Sequence, residues 1–226
     1  MAAQPIIVYA SASVGTTGTL IEALIRTNAR GMVQMRGYLS ASCTTEDTAM
    51  RQDWCVEQQN TTYIANLYQR VHAFKPATTT ALSVCLRAVA CSSGENCDTI
   101  TCSTWSSGYT SELTNIPMSD EFGNTPIAVS DLTLTPGNGT ISASWGDVDQ
   151  TTSIWAYEIQ LLQGTTGMAT GYITKNNITI GNLTNGTTYT VAVRAHSFDG
   201  YSGPWSEKSA TPVVPCVDFV SNINIV

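Results

Sequence analysis

Charge is what this sequence has least of. Lysine, arginine, aspartate and glutamate together make up 12% of the 226 residues, and no basic run occurs anywhere in the chain. Ten basic residues against seventeen acidic ones leave a net charge of -7 and a pI near 4.6, without the clustered cations that neutralise phosphates. This argues against a nucleic-acid partner. Long apolar runs are missing as well: nothing approaches the roughly 18 residues of a membrane span, and Met-Ala-Ala-Gln-Pro at the start lacks the charged and apolar regions of a secretory signal. The expectation is a leaderless chain with no membrane span. Either a signal has been removed, or the protein is made in the cytoplasm and reaches the outside by another route, as virion proteins do.

Catalytic patterns are also lacking. No G-x-S-x-G elbow, H-E-x-x-H helix, phosphate-binding loop or dinucleotide fingerprint occurs, and the two histidines, His72 and His196, stand isolated. Paired carboxylates at Glu46 and Asp47 and at Asp120 and Glu121 lie in polar stretches that read as solvated turns. Asp147 and Asp149 fall short of a calcium loop, since no D-x-D-x-D-G pattern surrounds them. The expectation is a non-enzymatic protein with no cofactor and no metal.

What is present points to β structure. Apolar residues reach 42%, too many for a disordered chain, and serine, threonine, glycine and asparagine supply a neutral polar surface suited to extracellular or particle-surface proteins. The apolar pattern is mostly of period two, broken at short intervals by turn residues, as in an all-β sandwich or barrel. Strands are predicted over 6–12, 19–26, 32–40, 63–74, 81–90 and 99–104. Residues 20–26 fit a short helix equally, 46–60 reads as a long loop or an exposed helical turn, and 106–125 reads as an interdomain linker.

Seven cysteines occur, six of them in the first half of the chain. Cys85, Cys91, Cys97 and Cys102 are too evenly spread for the paired spacing of a zinc site, so these four are disulfide candidates, with buried free thiols as the alternative. The odd count leaves at least one thiol unpaired or bonded to another chain.

The C-terminal part is more specific. Strands are expected at 128–134, 140–145 and 155–162, and Leu183-Thr-Asn-Gly-Thr-Thr-Tyr189 runs into Thr190-Val-Ala-Val-Arg-Ala195, then a loop and Gly203-Pro-Trp-Ser206. This stretch resembles the fibronectin type III family over about 126–212, with Trp145, Leu183, Gly186, Tyr189, Val191, Val193 and Ala195 at the matching positions. The resemblance implies a non-catalytic β-sandwich with Trp145 in its core and Tyr189 at the tyrosine corner. Val191, Val193 and Ala195 are expected to form one buried row against Trp145 and Tyr157 of the opposed sheet. The family's Arg-Gly-Asp adhesion loop is absent. Within the chain, Val84-Cys-Leu-Arg-Ala88 parallels Val191-Ala-Val-Arg-Ala195, so the N-terminal domain is a diverged repeat or a plain sandwich.

The whole is therefore read as all-β: two β-sandwich domains in tandem, the second fibronectin type III-like, plus a C-terminal strand-like tail. The bounds are 1–124 for the first domain with its cysteine cluster and linker, 125–214 for the second, and 215–226 for the tail. Phe198, Tyr201 and Trp205 flank the last loop and are candidates for stacking on a sugar or on another subunit. Five N-x-S/T sequons, at Asn60, Asn138, Asn177, Asn182 and Asn185, fit glycan acceptors or chance in an Asn- and Thr-rich chain. The alternating tail needs an edge to pair with, so Phe219, Ile223 and Ile225 are assembly candidates.

Together these features suggest a structural protein of a viral or extracellular assembly, such as a bacteriophage tail or capsid-surface decoration protein. Its partners would be other copies of itself, other structural proteins and cell-surface glycan. The alternative is a secreted carbohydrate-binding or adhesion protein with the sandwich as spacer.

Overall fold

A computed structural model describes residues 4–15, 18–44, 50–56, 62–64, 67–75, 80–108, 111–119, 125–148, 154–198 and 200–215. Every regular element among them is a strand apart from an isolated turn of helix at Met50. The first domain holds β1 (Pro5–Gly15), β2 (Gly18–Thr27), β3 (Gly31–Tyr38), β4 (Arg51–Val56), β5 (Gln69–Lys75), β6 (Ser83–Asn96), β7 (Thr101–Trp105) and β8 (Ser111–Ser119). The second holds β9 (Thr133–Gly137), β10 (Thr140–Ser144), β11 (Ile154–Gln163), β12 (Thr166–Ile173), β13 (Asn177–Ile180), β14 (Tyr189–Ser197) and β15 (Ser206–Ala210).

Both domains use one strand order. In the second, β13-β10-β9 forms one sheet and β12-β11-β14-β15 the other; in the first, β5-β2-β1 stands in place of the former and β4-β3-β6-β8 in place of the latter. The first domain adds β7 as an insertion hairpin on β6, and β8 joins its two halves. Residues 111–117 of β8 pair antiparallel with β6, and Met118 and Ser119 then pair in parallel with Ala12 and Ser13 of β1. The kinship hinted at by Val84–Ala88 and Val191–Ala195 is thus one of topology. Arg87 and Arg194 take corresponding places: each lies over an aromatic ring, Tyr38 and Trp205 respectively, and each pairs with a glutamate, Glu112 or Glu158.

Period-two patterning builds the cores. Ile21, Ala23 and Ile25 of β2 face Val33, Met35, Val84, Leu86 and Ala88 across the first sandwich, and all are buried. In the second, Trp145 and Tyr157 meet edge to face at 5.3 Å, among Ile141, Ile159, Leu161, Val191 and Val193. Trp145 follows β10 directly. Tyr157 is not on the opposed sheet: it pairs with Ala195 in the same sheet as β14. The Tyr189 hydroxyl accepts a hydrogen bond from the Thr184 amide at 3.1 Å, tying the corner to the connection before it.

Several local expectations change. Residues 20–26 are a strand whose two faces are both covered, which is why their periodicity does not separate helix from strand. Arg51–Val56, within the stretch read as a loop, is β4 and pairs with β3; Ser111–Ser119, within the stretch read as a linker, is the last strand of the first domain. Half-exposed strands carry too little apolar signal to stand out. The first strand of the second domain begins at Thr133 rather than 128, and β12 and β13, which the sequence reading left out, complete its sheets.

All six cysteines of the first domain are in disulfides: Cys43–Cys85, Cys55–Cys97 and Cys91–Cys102, with Cα separations of 5.2, 5.1 and 5.9 Å. One bridge lies within the predicted group of four, while Cys85 reaches back to Cys43 in the bend after β3 and Cys97 to Cys55 on β4. Such bonds persist in an oxidising, extracellular-type environment. Cys216 and the rest of 216–226, with Phe219, Ile223 and Ile225, lie outside the described residues.

The first domain also completes the second. Residues 62–64 and 67–68 run along the side of the second sandwich, where the edge strands of its two sheets would otherwise stand open. Tyr68 and Tyr172 of β12 exchange two backbone hydrogen bonds of 3.0 Å, and the Gly181 amide after β13 donates to the Tyr63 carbonyl at 2.6 Å. Ile64 and Leu67 are buried in the second domain's own core. A side chain at Gly171 would put its Cβ 2.9 Å from that of Leu67, so the glycine admits this insertion.

Non-reducing peptide mapping should recover the three disulfide pairs above; Cys91 linked to any residue other than Cys102 contradicts the fold. Leu67→Ala should destabilise the second domain, from which it is remote in sequence, by about 2–5 kcal/mol. Hydrogen exchange at the β13 and β14 amides measures this, and unchanged protection there would show that the insertion contributes nothing.

Candidate functional site

The outer face of β1, β2 and β5 meets the outer face of β11, β12 and β14 and the loop that follows β14. Leu24, Trp155 and Ala156 are buried there, with Tyr9, Tyr68, Tyr172 and Phe198 packed around them. Tyr9 and Trp155 stack at 6.0 Å, and the Ser13 hydroxyl donates to the Phe198 carbonyl at 3.2 Å. Gly200 turns the loop at φ +89°, with Leu20 and Arg70 close to where a Cβ would stand.

A chain of charged groups crosses this apolar junction. Glu22 on β2, 1% exposed, accepts two hydrogen bonds from the Arg70 guanidinium, the Nε one at 2.7 Å. Arg70 lies over the Trp155 ring at 5.7 Å and its Nη1 donates across the junction to His196 Nδ1 at 2.8 Å. A guanidinium has no lone pair to offer, so Nδ1 must be the acceptor and His196 carries its proton on Nε2. That nitrogen donates to Glu158 Oε2 at 3.0 Å, and Arg194 donates to the same oxygen at 2.7 Å from Nε. Two arginines and two glutamates thus balance around a neutral imidazole.

The titration behaviour follows from this geometry. Burial, then the charge of Arg70, pushes His196 below its ordinary 6.5, outweighing the hydrogen bond to Glu158. Burial would raise Glu158, but the hydrogen bonds from His196 and Arg194 and the Arg194 charge hold it below 4.5. Tyr172, whose ring meets His196 edge to face at 5.2 Å, is raised by burial and by Glu158. Neither histidine is isolated: His72 meets Trp54 at 5.0 Å, and burial followed by the Arg70 charge lowers it. None of Glu22, Arg70, Glu158 or Arg194 stands out in the sequence, because each is a single charge on a strand and only the docking of the domains brings them together.

The residues singled out from sequence are separated. Phe198 packs in the junction, while Tyr201 is 50% exposed. Trp205 has the Arg194 guanidinium 4.5 Å from its ring centre, so one face is already taken. Asp147 lines a cleft of about 670 Å³ with Trp155, Tyr157, Lys175 and Asn176, and accepts a hydrogen bond from Asn176 at 3.4 Å. Asp149, Glu46, Asp47, Asp120, Glu121 and Asn60 lie outside the described residues. The Asn182 amide donates to the Thr62 carbonyl, and that of Asn185 to the Asn138 side chain at 2.7 Å. Cys43, Cys85 and Glu112 come together as a metal-like trio, but both sulfurs are in a disulfide and Glu112 binds Arg87.

Residues 128–212 match the fibronectin type III domain family. Among solved structures, the chain is similar to domains d3–d4 of the rat CD45 extracellular region (16% identity, 39% of this chain and 50% of that chain, TM-score 0.36). It is similar to the FN1–FN3 domains of chicken CNTN1 (14% identity, 92% and 66%, TM-score 0.39) and to chitinase ChiA74 from Bacillus thuringiensis (22% identity, 43% and 15%, TM-score 0.36). The chain thus spans half of the CD45 fragment and less of the chitinase. No curated protein matches it.

Removing one partner of the Glu22–Arg70 pair strands a buried charge, whereas replacing both with apolar groups does not. Arg70→Met should cost about 3–5 kcal/mol in denaturant unfolding, and Glu22→Leu combined with Arg70→Met should recover most of it. A double variant no more stable than Arg70→Met would show that the junction needs the charges themselves.

Proposed function

We propose, on the premise that residues 128–212 are a fibronectin type III domain, that the chain is a non-enzymatic structural element of an extracellular or viral assembly. Its role is to hold two sandwiches at one fixed angle. The observation that carries this reading is the shared construction of the second domain, whose core contains Ile64 and Leu67 of the first. A tether between independent modules has no need of such an exchange, since separate domains move relative to one another unless a large interface joins them.

The finer reading is a bacteriophage virion component, of the tail or of the capsid surface, and it rests on the acidic, hydroxyl-rich composition and the alternating C-terminal tail. In that reading the tail pairs with the sheet edge of another copy or of a neighbouring structural protein. The second reading, glycan binding, draws on the exposed ring of Tyr201.

Small-angle scattering and backbone relaxation of the full chain at pH 7.5 should report one rigid body; independent tumbling of the two domains would overturn the proposal. Light scattering should show self-association that is lost on truncation after Pro215. A truncated chain that assembles like the full one removes the tail's role, and sugar affinity lost in Tyr201→Ala would favour the second reading.

A further inference from the structure

The His196 ring is a link in the junction that changes its bonding when it takes a proton. It is 1% exposed and sits between Arg70 of the first domain and Glu158 of the second. Its Nδ1 has two neighbours: Arg70 Nη1 at 2.8 Å, across the junction, and Ser202 Oγ at 3.1 Å, within its own domain. With Nδ1 unprotonated, both donate to it. A proton on Nδ1 reverses the polarity of that position: facing Arg70 it sets two N–H donors and two positive charges against each other, whereas facing Ser202 it finds a hydroxyl oxygen that accepts.

We propose that His196 is an acid-released latch between the domains: protonation moves Nδ1 from Arg70 to Ser202 and severs the Arg70–His196 bond, one of several side-chain bonds across the junction, while the bond from Nε2 to Glu158 persists. The ring stays satisfied inside the second domain in both states, so the change falls on this domain-crossing bond and not on either fold. The groups facing the imidazole are Arg70 from β5, backed by Glu22 of β2, Glu158 from β11, Tyr172 from β12, Arg194 from its own strand β14, and Ser202 from the loop. Their charges cancel while the ring is neutral, and protonation leaves one buried positive charge in excess. Glu158, held below its ordinary 4.5 by His196 and Arg194, remains ionised above that pH.

The sign follows from linkage. The unfolded chain binds a proton near 6.5 and the closed junction binds it only at lower pH, so junction stability is full above about 6.5 and falls as the pH drops through the lowered value. This inference rests on the rigid coupling proposed above. Hydrogen exchange of the full chain, corrected for intrinsic rates, should show the Tyr68 and Tyr172 amides losing protection at least tenfold between pH 7.5 and 4.5, while those of β3 and β10 keep theirs. His196→Gln should abolish that pH dependence. Ser202→Ala, which leaves the protonated ring without its alternative acceptor, should move the transition to lower pH, and the ring's own NMR titration gives the same shift without relying on His196→Gln to fold. Junction amides that stay equally protected across the range, or that lose protection equally in His196→Gln, overturn the latch. Domains already independent at pH 7.5 overturn the rigid coupling instead.

Discussion

Backbone groups at a sheet edge need partners, and in this chain the edges of the C-terminal sandwich find theirs in the preceding domain. Tyr68 bonds Tyr172 on one sheet, Tyr63 accepts from Gly181 beside the other, and Ile64 and Leu67 fill the gap between. The docking of β2 and β5 on β11 and β12, and the alignment of the charged groups between them, follow from that closure. Where the backbone is paired, side chains such as Trp155 and Leu24 have no route back to solvent. Removing the pairing would expose an apolar face on each domain.

The buried charges are tolerable because they are arranged in series. Glu22, Arg70, His196, Glu158 and Arg194 alternate acceptor and donor, and the neutral ring lets an arginine bond to it from one side and a glutamate from the other. Arg87 shows the same residue used without a junction: it lies over Tyr38 and pairs with Glu112 inside the first domain. At the corresponding place in the second domain, Arg194 shares its glutamate with His196, and through that ring the pair is coupled to the neighbouring domain.

Legibility in the sequence tracks how local each signal is. Trp145, Tyr189 and the row Val191, Val193, Ala195 are readable because one strand and one corner fix them. β4 and β8 are not, since Arg51–Val56 and Ser111–Ser119 expose much of their length and show no clean alternation. The strand β2 is covered on both faces, with Leu20 and Leu24 beside Glu22 on the outer one, and only knowledge that a second domain covers that face resolves it. Disulfide partners are set by strand order, which is why Cys85 and Cys97 find Cys43 and Cys55 at a distance no spacing rule supplies. His196 looks isolated for the same reason, as all but one of its side-chain partners lie on other strands and Arg70 lies in the other domain.

The parallel pairing of β1 with the end of β8 bears on how the first domain meets mechanical tension. A pull applied at the two ends of that domain draws these neighbouring strands in opposite directions along their length, so the hydrogen bonds around Ala12–Met118 and Ser13–Ser119 are loaded together in shear and not peeled apart singly. Should they yield, the bridges Cys43–Cys85 and Cys55–Cys97 enclose overlapping stretches of chain that cannot be drawn out. The slack available to a pulling force is then confined to the strands outside them, chiefly β1, β2, β3 and β8. Under load this domain would yield a short length and then stop, as a rope does at its knot.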